Sequence, residues 1–88
     1  MNPTILKRAD YIASVRSDIS EYRSFLADAE HEVKVINDRI IFAEEQKLGR
    51  FKNLEKAELR VLKRRMKRAR KSIKELTEFL ALAENTLG

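Results

Sequence analysis

The strongest candidate for chemistry in this sequence is a run of basic residues in its second half. Between Arg60 and Lys74, nine of the fifteen residues are Lys or Arg. Such side chains neutralise phosphates wherever they are dense enough to follow a nucleic-acid backbone, and no particular order is required. A helix made from this segment would span about 20 Å at 1.5 Å per residue, enough to meet several phosphates. The run therefore predicts binding to an anionic polymer.

Seven of these nine residues occupy the b, e and f positions of the heptad repeat described below, on the outer side of one helix. We call them the basic stripe, and they are the predicted nucleic-acid-binding residues: Arg60, Lys63, Arg64, Lys67, Arg70, Lys71 and Lys74. Arg65 and Arg68 fall at g and c, on the opposite flank. Because no aromatic residue occurs from Lys52 to Glu78, base stacking is not expected. The pattern favours contact with the backbone or shape of DNA or structured RNA.

Three other interpretations of the basic stripe stay open. A dense basic face can simply keep a coiled coil soluble, or it can contact an acidic protein surface or an anionic membrane. Of these, the membrane is the least favoured. Repulsion among so many cations on one helix would destabilise it in isolation, so we expect a counter-charge to be present when the protein acts.

Residues that could catalyse a reaction are scattered along the sequence. His31 is the only histidine, and it falls at an outward f position without a second ligand nearby. Asp28, Glu30, Glu32 and Asp38 share one helix with no loop to form a cleft, so ion pairing is their expected role. No glycine-rich phosphate loop is present. We predict a non-enzymatic protein without a catalytic site, a cofactor, a metal or a small-molecule substrate.

Composition limits the fold to one small helical domain. The chain has 88 residues with Gly 2, Pro 1 and Cys 0, too few turn residues for a sandwich, a barrel or a doubly wound fold. The lack of cysteine fits a reducing compartment. No apolar run approaches the roughly 20 residues of a membrane span, and charged residues interrupt the first turns, where a signal peptide would be apolar. The sequence therefore predicts a cytoplasmic location.

Charge is distributed very unevenly along the chain. Residues 47–74 hold 13 basic and 2 acidic side chains, whereas residues 1–46 hold 6 basic and 9 acidic ones. Residues 75–88 hold 3 acidic side chains and no basic one. One segment thus carries all of the positive excess, which indicates an electrostatic role.

A heptad repeat runs through the first half of the chain. Its a positions are Ile5, Ile12, Ile19, Leu26, Val33 and Ile40, and its d positions are Arg8, Val15, Tyr22, Ala29, Ile36 and Ala43. The second half repeats the pattern in a new phase. Its a positions are Leu59, Met66, Ile73, Leu80 and Leu87, and its d positions are Leu62, Ala69, Leu76 and Ala83. This 3–4 spacing is typical of coiled-coil helices.

The change of phase falls between Leu48 and Asn53 and predicts a turn. Gly49 can end one helix and Asn53 can cap the next. We predict a single domain over residues 1–88, with helix 1 at about 3–48, a turn at 49–53 and helix 2 at about 54–87. A short connection folds two such helices back on each other. A swapped arrangement, in which helix 1 continues across Gly49 and pairs with another chain, is the alternative.

Centring the turn on Phe51 predicts a register in which the numbers of facing a and d residues add to 102. Every seam alanine then meets a larger side chain, which keeps the layers evenly filled. The e positions give three opposite-charge pairs: Glu44 with Lys56, Glu30 with Arg70, and Arg16 with Glu84. The g positions pair Phe25 with Phe79 and bring together Arg39 and Arg65, which repel each other.

A second apolar surface remains outside the seam. It lies at c and g positions and on an overhang of helix 1 before about Ser14, which has no helix 2 partner in this register. The predicted partner or dimer interface is Ile5, Leu6, Ile12, Phe25, Val35, Phe42, Leu54, Val61, Phe79 and Leu82. Self-association is favoured over a heterologous partner and over scattered exposure.

Taken together, the sequence predicts an all-α, antiparallel two-helix coiled-coil hairpin that dimerises into a four-helix bundle. The leading functional hypothesis is a small regulatory or accessory protein, a homodimer, that binds nucleic acid through the basic stripe. The alternative is an adaptor, inhibitor or assembly factor that contacts proteins through the helix 1 overhang and the apolar flank.

Overall fold

The computed structural model describes the backbone of residues 3–87 and the side chains of residues 8–85. It contains two helices, α1 (Pro3–Glu45) and α2 (Gly49–Leu87), which pack against each other as a hairpin. The molecule is a rod with extents of 67 × 17 × 15 Å. The all-α class and the hairpin are therefore confirmed. Two predicted interface residues, Ile5 and Leu6, lie outside the described side chains.

The core of the hairpin is a single seam of a and d residues. Nine apolar side chains are buried: Val15, Ile19, Ala29, Ile36, Ile40, Ala43, Leu62, Met66 and Ala69. All nine belong to the predicted a and d positions, and Ile36, at 0% exposure, is the most deeply buried. Ile36 and Met66 lie in one cluster that joins the two helices. Among the described side chains, no polar or charged residue is buried.

The turn occupies residues 46–48, earlier than the predicted 49–53. The N–H of Lys47 donates to the carbonyl of Glu44 at 3.2 Å, and the N–H of Leu48 donates to the carbonyl of Ala43 at 2.8 Å. Lys47 has φ 56°, in the left-handed region. This combination is a Schellman motif, which satisfies carbonyls at the end of a helix. Lys47 thus ends α1 in the position that glycine usually takes.

The predicted roles of Gly49 and Asn53 are therefore wrong. Gly49 does not have a positive φ, and it is the first residue of α2. The carbonyl of Leu48 accepts a hydrogen bond from the N–H of Lys52 at 3.0 Å, which makes Leu48 the N-cap. Asn53 lies inside α2, on its exposed surface. The reason is that the motif is closed by backbone hydrogen bonds, and these do not depend on a glycine.

Contacts across the hairpin define its register. The ring centroids of Tyr11 and Phe79 are 5.6 Å apart, and the guanidinium of Arg65 lies 5.1 Å from the ring centroid of Phe25. In both pairs the residue numbers add to 90. Facing g residues have numbers that add to two more than the facing layers, as in the predicted register, where they add to 104 and the layers add to 102. A g residue can also reach the g residue one heptad away on the other helix. Pairs that add to 90 therefore fit layers that add to 88 or 95.

The ion pair between Arg16 and Glu84 decides between these two registers. It was predicted, and it is present. Facing e residues have numbers that add to two less than the facing layers, and an e residue can also reach the e residue one heptad away on the other helix. Arg16 and Glu84 add to 100, so the pair fits layers that add to 102 or 95. Only 95 satisfies every contact, so the seam is one heptad away from the predicted register. The earlier turn is the physical cause of this displacement.

The corrected register shortens the predicted overhang of helix 1. Ile12 now falls in a layer with Ala83, and Val15 falls in a layer with Leu80. Ile12 is half-buried and Val15 is buried, as expected for members of the seam. The prediction that residues before about Ser14 lack a helix 2 partner is therefore wrong for Ile12, which is a core residue of the hairpin.

Candidate nucleic-acid interface

The basic stripe lies along the middle of α2, and all seven of its side chains are exposed. Within the described part of the chain, the ion pairs include only one of them, Lys71, whose Nζ is 4.0 Å from Glu75 Oε1 one turn away. Arg60 Nε donates to the carbonyl of Lys56 at 3.5 Å. Surface pairs of this kind contribute little. The stripe therefore presents cations that the hairpin itself leaves largely uncompensated.

A surface groove between the two helices brings part of the stripe together with α1. Its lining residues are Glu30, Val33, Lys34, Lys63, Met66, Lys67 and Arg70. Four of them are cations and one is a carboxylate. The predicted pair of Glu30 and Arg70 is not among the described ion pairs, although both residues line the groove. The groove is therefore a concave surface with a strong positive excess, set on two packed helices.

Lys34 is the groove residue that sequence reasoning missed. It comes from α1, whereas the predicted site was confined to α2. The signal was available, because Lys34 occupies a b position and antiparallel pairing places b and e residues of both helices on one side. Arg23, an exposed e residue of α1, lies on that side for the same reason.

We call the b and e positions of both helices the basic flank. Its cations are Arg16, Arg23, Lys34, Lys56, Arg60, Lys63, Lys67, Arg70 and Lys74, and its carboxylates are Glu30, Glu44 and Glu84. Glu84 is paired with Arg16, and Glu44 lies 3.1 Å from Lys52 Nζ. The predicted partner of Glu44 was Lys56, which the register displaces. With two of its three carboxylates engaged, the flank keeps a large positive excess.

The opposite side of the hairpin consists of the c and g positions of both helices, and we call it the dimer flank because most of the predicted dimer-interface residues belong to it. Phe79 contacts Tyr11 there, not Phe25 as predicted. The predicted repulsion between Arg39 and Arg65 is also wrong. Arg39 lies 3.9 Å from Glu55, and Arg65 lies over the ring of Phe25. The shifted register separates the two arginines.

The predicted interface residues lie mostly on this dimer flank. Phe42, Leu54 and Val61 are 58%, 60% and 55% exposed, near the turn. Phe79 and Leu82 are exposed towards the other end of the rod, whereas Phe25 and Val35 are half-buried. Five other large residues are exposed but were not predicted in the interface: Tyr11, Tyr22, Ile41, Leu48 and Phe51. Tyr22 had been predicted in the seam as a d residue, and its exposure corrects that prediction.

The described residues provide no other evident site. Among them, no group of three His, Cys, Asp or Glu side chains is arranged to hold a metal ion. His31 is exposed, on the outer side of α1. Neither helix, over the residues that the structure describes, combines the length and the apolar character that crossing a membrane requires.

Comparison of the chain with protein-family models, with curated proteins and with solved structures finds no match. The chemistry of the basic flank is then given by its own side chains. Lysine and arginine at this density can neutralise phosphates and donate hydrogen bonds to them. The groove has no aromatic side chain, so it offers no surface on which bases could stack.

Proposed function

We propose that this protein is a small, non-enzymatic accessory or regulatory protein of the cytoplasm that binds the phosphate backbone of nucleic acid through the basic flank. The observation that carries the proposal is the groove in which Lys34 of α1 meets Lys63, Lys67 and Arg70 of α2 around one carboxylate. The packed helices fix the backbone positions of these cations in two rows before any ligand arrives. Such preorganisation lowers the cost of binding a regular polyanion.

Two features favour a nucleic-acid backbone over the other anionic partners. The stripe extends along one helix for about 20 Å, which matches a repeating array of phosphates better than a single acidic patch. A membrane-surface helix needs an apolar face next to its basic one. Here the face next to the basic flank is the buried seam, and the exposed apolar residues Phe42, Leu54 and Val61 lie on the opposite flank. The lack of stacking residues in the groove favours duplex or structured nucleic acid over single strands.

Charge reversal within the stripe tests this proposal. The triple variant Lys63→Glu, Lys67→Glu, Arg70→Glu should lose salt-sensitive binding to duplex RNA or DNA, measured by fluorescence anisotropy. The matched control is Lys63→Arg, Lys67→Arg, Arg70→Lys, which keeps every charge and should bind as the wild type does. If about three phosphate contacts are lost, the slope of log affinity against log salt should become shallower by about 3. Unchanged binding by the first variant would refute the proposal.

We also propose that two hairpins associate through the dimer flank to form a four-helix bundle. Phe42, Leu54 and Val61 support this, because exposed apolar groups of this size on a narrow rod are typical of an interface. The same surface supports the second candidate function, an adaptor or assembly factor that captures another protein. Under that alternative Phe42→Asp should abolish capture of the partner, whereas the charge-reversed stripe should leave it intact.

A further inference from the structure

The corrected register aligns the apolar residues of the dimer flank in pairs. In a hairpin whose layers add to 95, c residues whose numbers add to 96 lie at the same height. Phe42 is therefore level with Leu54, and Val35 is level with Val61. The predicted register would instead have placed Phe42 level with Val61 and Val35 level with Arg68. The observed fold thus concentrates this apolar surface at the turn end of the rod.

Beyond these residues, the charges of the dimer flank differ between the two helices. On α1 the middle of the flank carries Asp18, Glu21, Asp28 and Glu32. On α2 the same stretch carries two arginines, Arg65 and Arg68, and one carboxylate, Glu75, and Arg68 lines a groove together with Asp18 and Glu21. Within the described residues, Asp28, Glu32 and Arg68 are in none of the ion pairs. One helix therefore offers an acidic row and its neighbour offers a basic one.

From this asymmetry we propose that two copies of the chain pack with their turns at the same end, so that α1 of each copy lies over α2 of the other. A two-fold axis along the rod produces this arrangement. Val35 then meets the partner's Val61, and Phe42 meets the partner's Leu54. The inference rests on the dimer proposed above and does not depend on nucleic-acid binding.

The charged layers agree with this orientation. At the same heights, Asp28 meets the partner's Arg68 and Glu32 meets the partner's Arg65. Arg39 likewise meets the partner's Glu58. Each contact occurs twice because of the symmetry, and complementary charges fix orientation more than they add affinity. One layer disagrees, since Glu21 meets the partner's Glu75.

The opposite orientation, with the turns at opposite ends, is disfavoured by the same residues. It stacks each helix on its own copy, so that α1 meets α1. With full overlap about Phe25, Asp18 would meet the partner's Glu32 and Glu21 would meet the partner's Asp28. These are four like-charge contacts in one interface, and they outnumber the two opposite-charge contacts between Glu75 and the partner's Arg65. The apolar turn ends would also lie over polar positions such as Ser14.

This arrangement also determines where the two basic flanks lie. Because the dimer flanks face each other, the basic flanks point outward on opposite sides of the bundle. Both grooves then lie at the same height, since the turns are at one end. A dimer of this kind carries two equivalent sites for anionic polymers, and it can hold two duplex segments side by side.

Single cysteines test the orientation, because the chain has no cysteine of its own. An equimolar mixture of Val35→Cys and Val61→Cys should give a disulfide-linked dimer under mild oxidation. The matched control is Val35→Cys mixed with Ser14→Cys, which should stay uncrosslinked. Cross-linking in the control mixture but not in the first would overturn the proposal, because those positions meet only when the turns lie at opposite ends.

A charge exchange also tests the orientation of the two copies, without cysteines. It replaces the cross-linking experiment if the cysteine variants lose their helical circular dichroism. Asp28→Arg should weaken dimerisation at least about tenfold by sedimentation equilibrium, and Asp28→Arg with Arg68→Asp should restore it. Failure of the double variant to restore the dimer, or a wild-type mass of one chain, would refute the inference. Nucleic-acid binding by the wild type is measured separately, so that a failure of the proposed function is distinguished from a failure of this dimer.

Discussion

The two flanks of this hairpin are built from the same two helices, but their charges are arranged in opposite ways. On the basic flank, both α1 and α2 contribute more cations than carboxylates, and Lys34 and Lys63 line one groove. On the dimer flank, α1 is acidic where α2 is basic, and apolar side chains lie level with each other near the turn. A second copy can neutralise the dimer flank but not the basic flank. For the basic flank we therefore propose a partner of a different kind.

The largest expected effect separates the two flanks directly. Lys34→Glu with Lys63→Glu changes the groove, whereas Arg65→Glu with Arg68→Glu makes the same change in net charge on the dimer flank. We expect the first pair to weaken duplex binding about a hundredfold at low salt and the second pair to weaken dimerisation instead. Anisotropy and sedimentation equilibrium, measured on both variants, check this. Equal losses of nucleic-acid binding would mean that only net charge matters.

The next effect concerns the apolar end of the dimer flank. Phe42→Asp should weaken the dimer by about 2 kcal/mol for each copy of the side chain, since it removes a large apolar group from the interface. Ile41→Asp is the matched control, because Ile41 is similarly exposed and adjacent in sequence but lies on the basic flank. Its dimer should be unchanged in sedimentation experiments. A dimer insensitive to Phe42→Asp would place the interface elsewhere.

A third effect lies in the seam that separates the flanks. Glu55 occupies a d position, and its Oε2 atom is buried without a hydrogen-bond partner, 3.9 Å from Arg39. Because a carboxylate in this setting is poorly solvated, Glu55→Leu should raise the free energy of unfolding by about 1–2 kcal/mol. Glu78→Leu, at an exposed f position, is the control and should change stability by less than about 0.5 kcal/mol. Urea denaturation measures both, and a destabilised Glu55→Leu would contradict this account.

The seam is also where sequence reasoning succeeded and where it failed. The apolar spacing located every buried residue among the described side chains, because a and d positions face the partner helix whatever the register is. It also assigned Tyr22 to the seam, although Tyr22 is 38% exposed. It could not choose between registers one heptad apart. Ala29 meets Met66 and Ala69 meets Leu26 in the observed register, so the volumes match as well as in the predicted one. Arg16 with Glu84 likewise fits both registers.

The position of the turn determines which register forms, and the predicted position was wrong for a local reason. Glycine is the usual residue at a left-handed helix end, so Gly49 was an obvious candidate. The backbone instead places Lys47 there, and a lysine in that conformation has no signature in the sequence. Of the groove's cations, the sequence predicted those on α2 but not Lys34 on α1. Lys34 comes next to the stripe only when the two helices are paired side by side.

A smaller effect is expected at the one layer of the proposed dimer where like charges meet. In the proposed dimer Glu21 meets the partner's Glu75, so Glu75→Lys should tighten dimerisation by about 1 kcal/mol over the two symmetric contacts. The lost pair with Lys71 is exposed and contributes little. With the turns at opposite ends, residue 75 would lie near the partner's Arg65, and the same variant would loosen the dimer. The sign of the change therefore reports the orientation.

The smallest effects come from the turn, which decides which residues share a flank. Lys47→Gly should raise the free energy of unfolding by about 1 kcal/mol, because it relieves a left-handed lysine. Gly49→Ala should add about 0.5–1 kcal/mol, since Gly49 begins α2 and a Cβ there meets nothing within 4 Å. If Gly49 instead ended α1, as its residue type suggests, Gly49→Ala would destabilise the hairpin. Thermal denaturation of the two variants therefore shows which turn is present. The turn then determines the register: Val35 and Val61 lie at the same height in the observed register and at different heights in the predicted one.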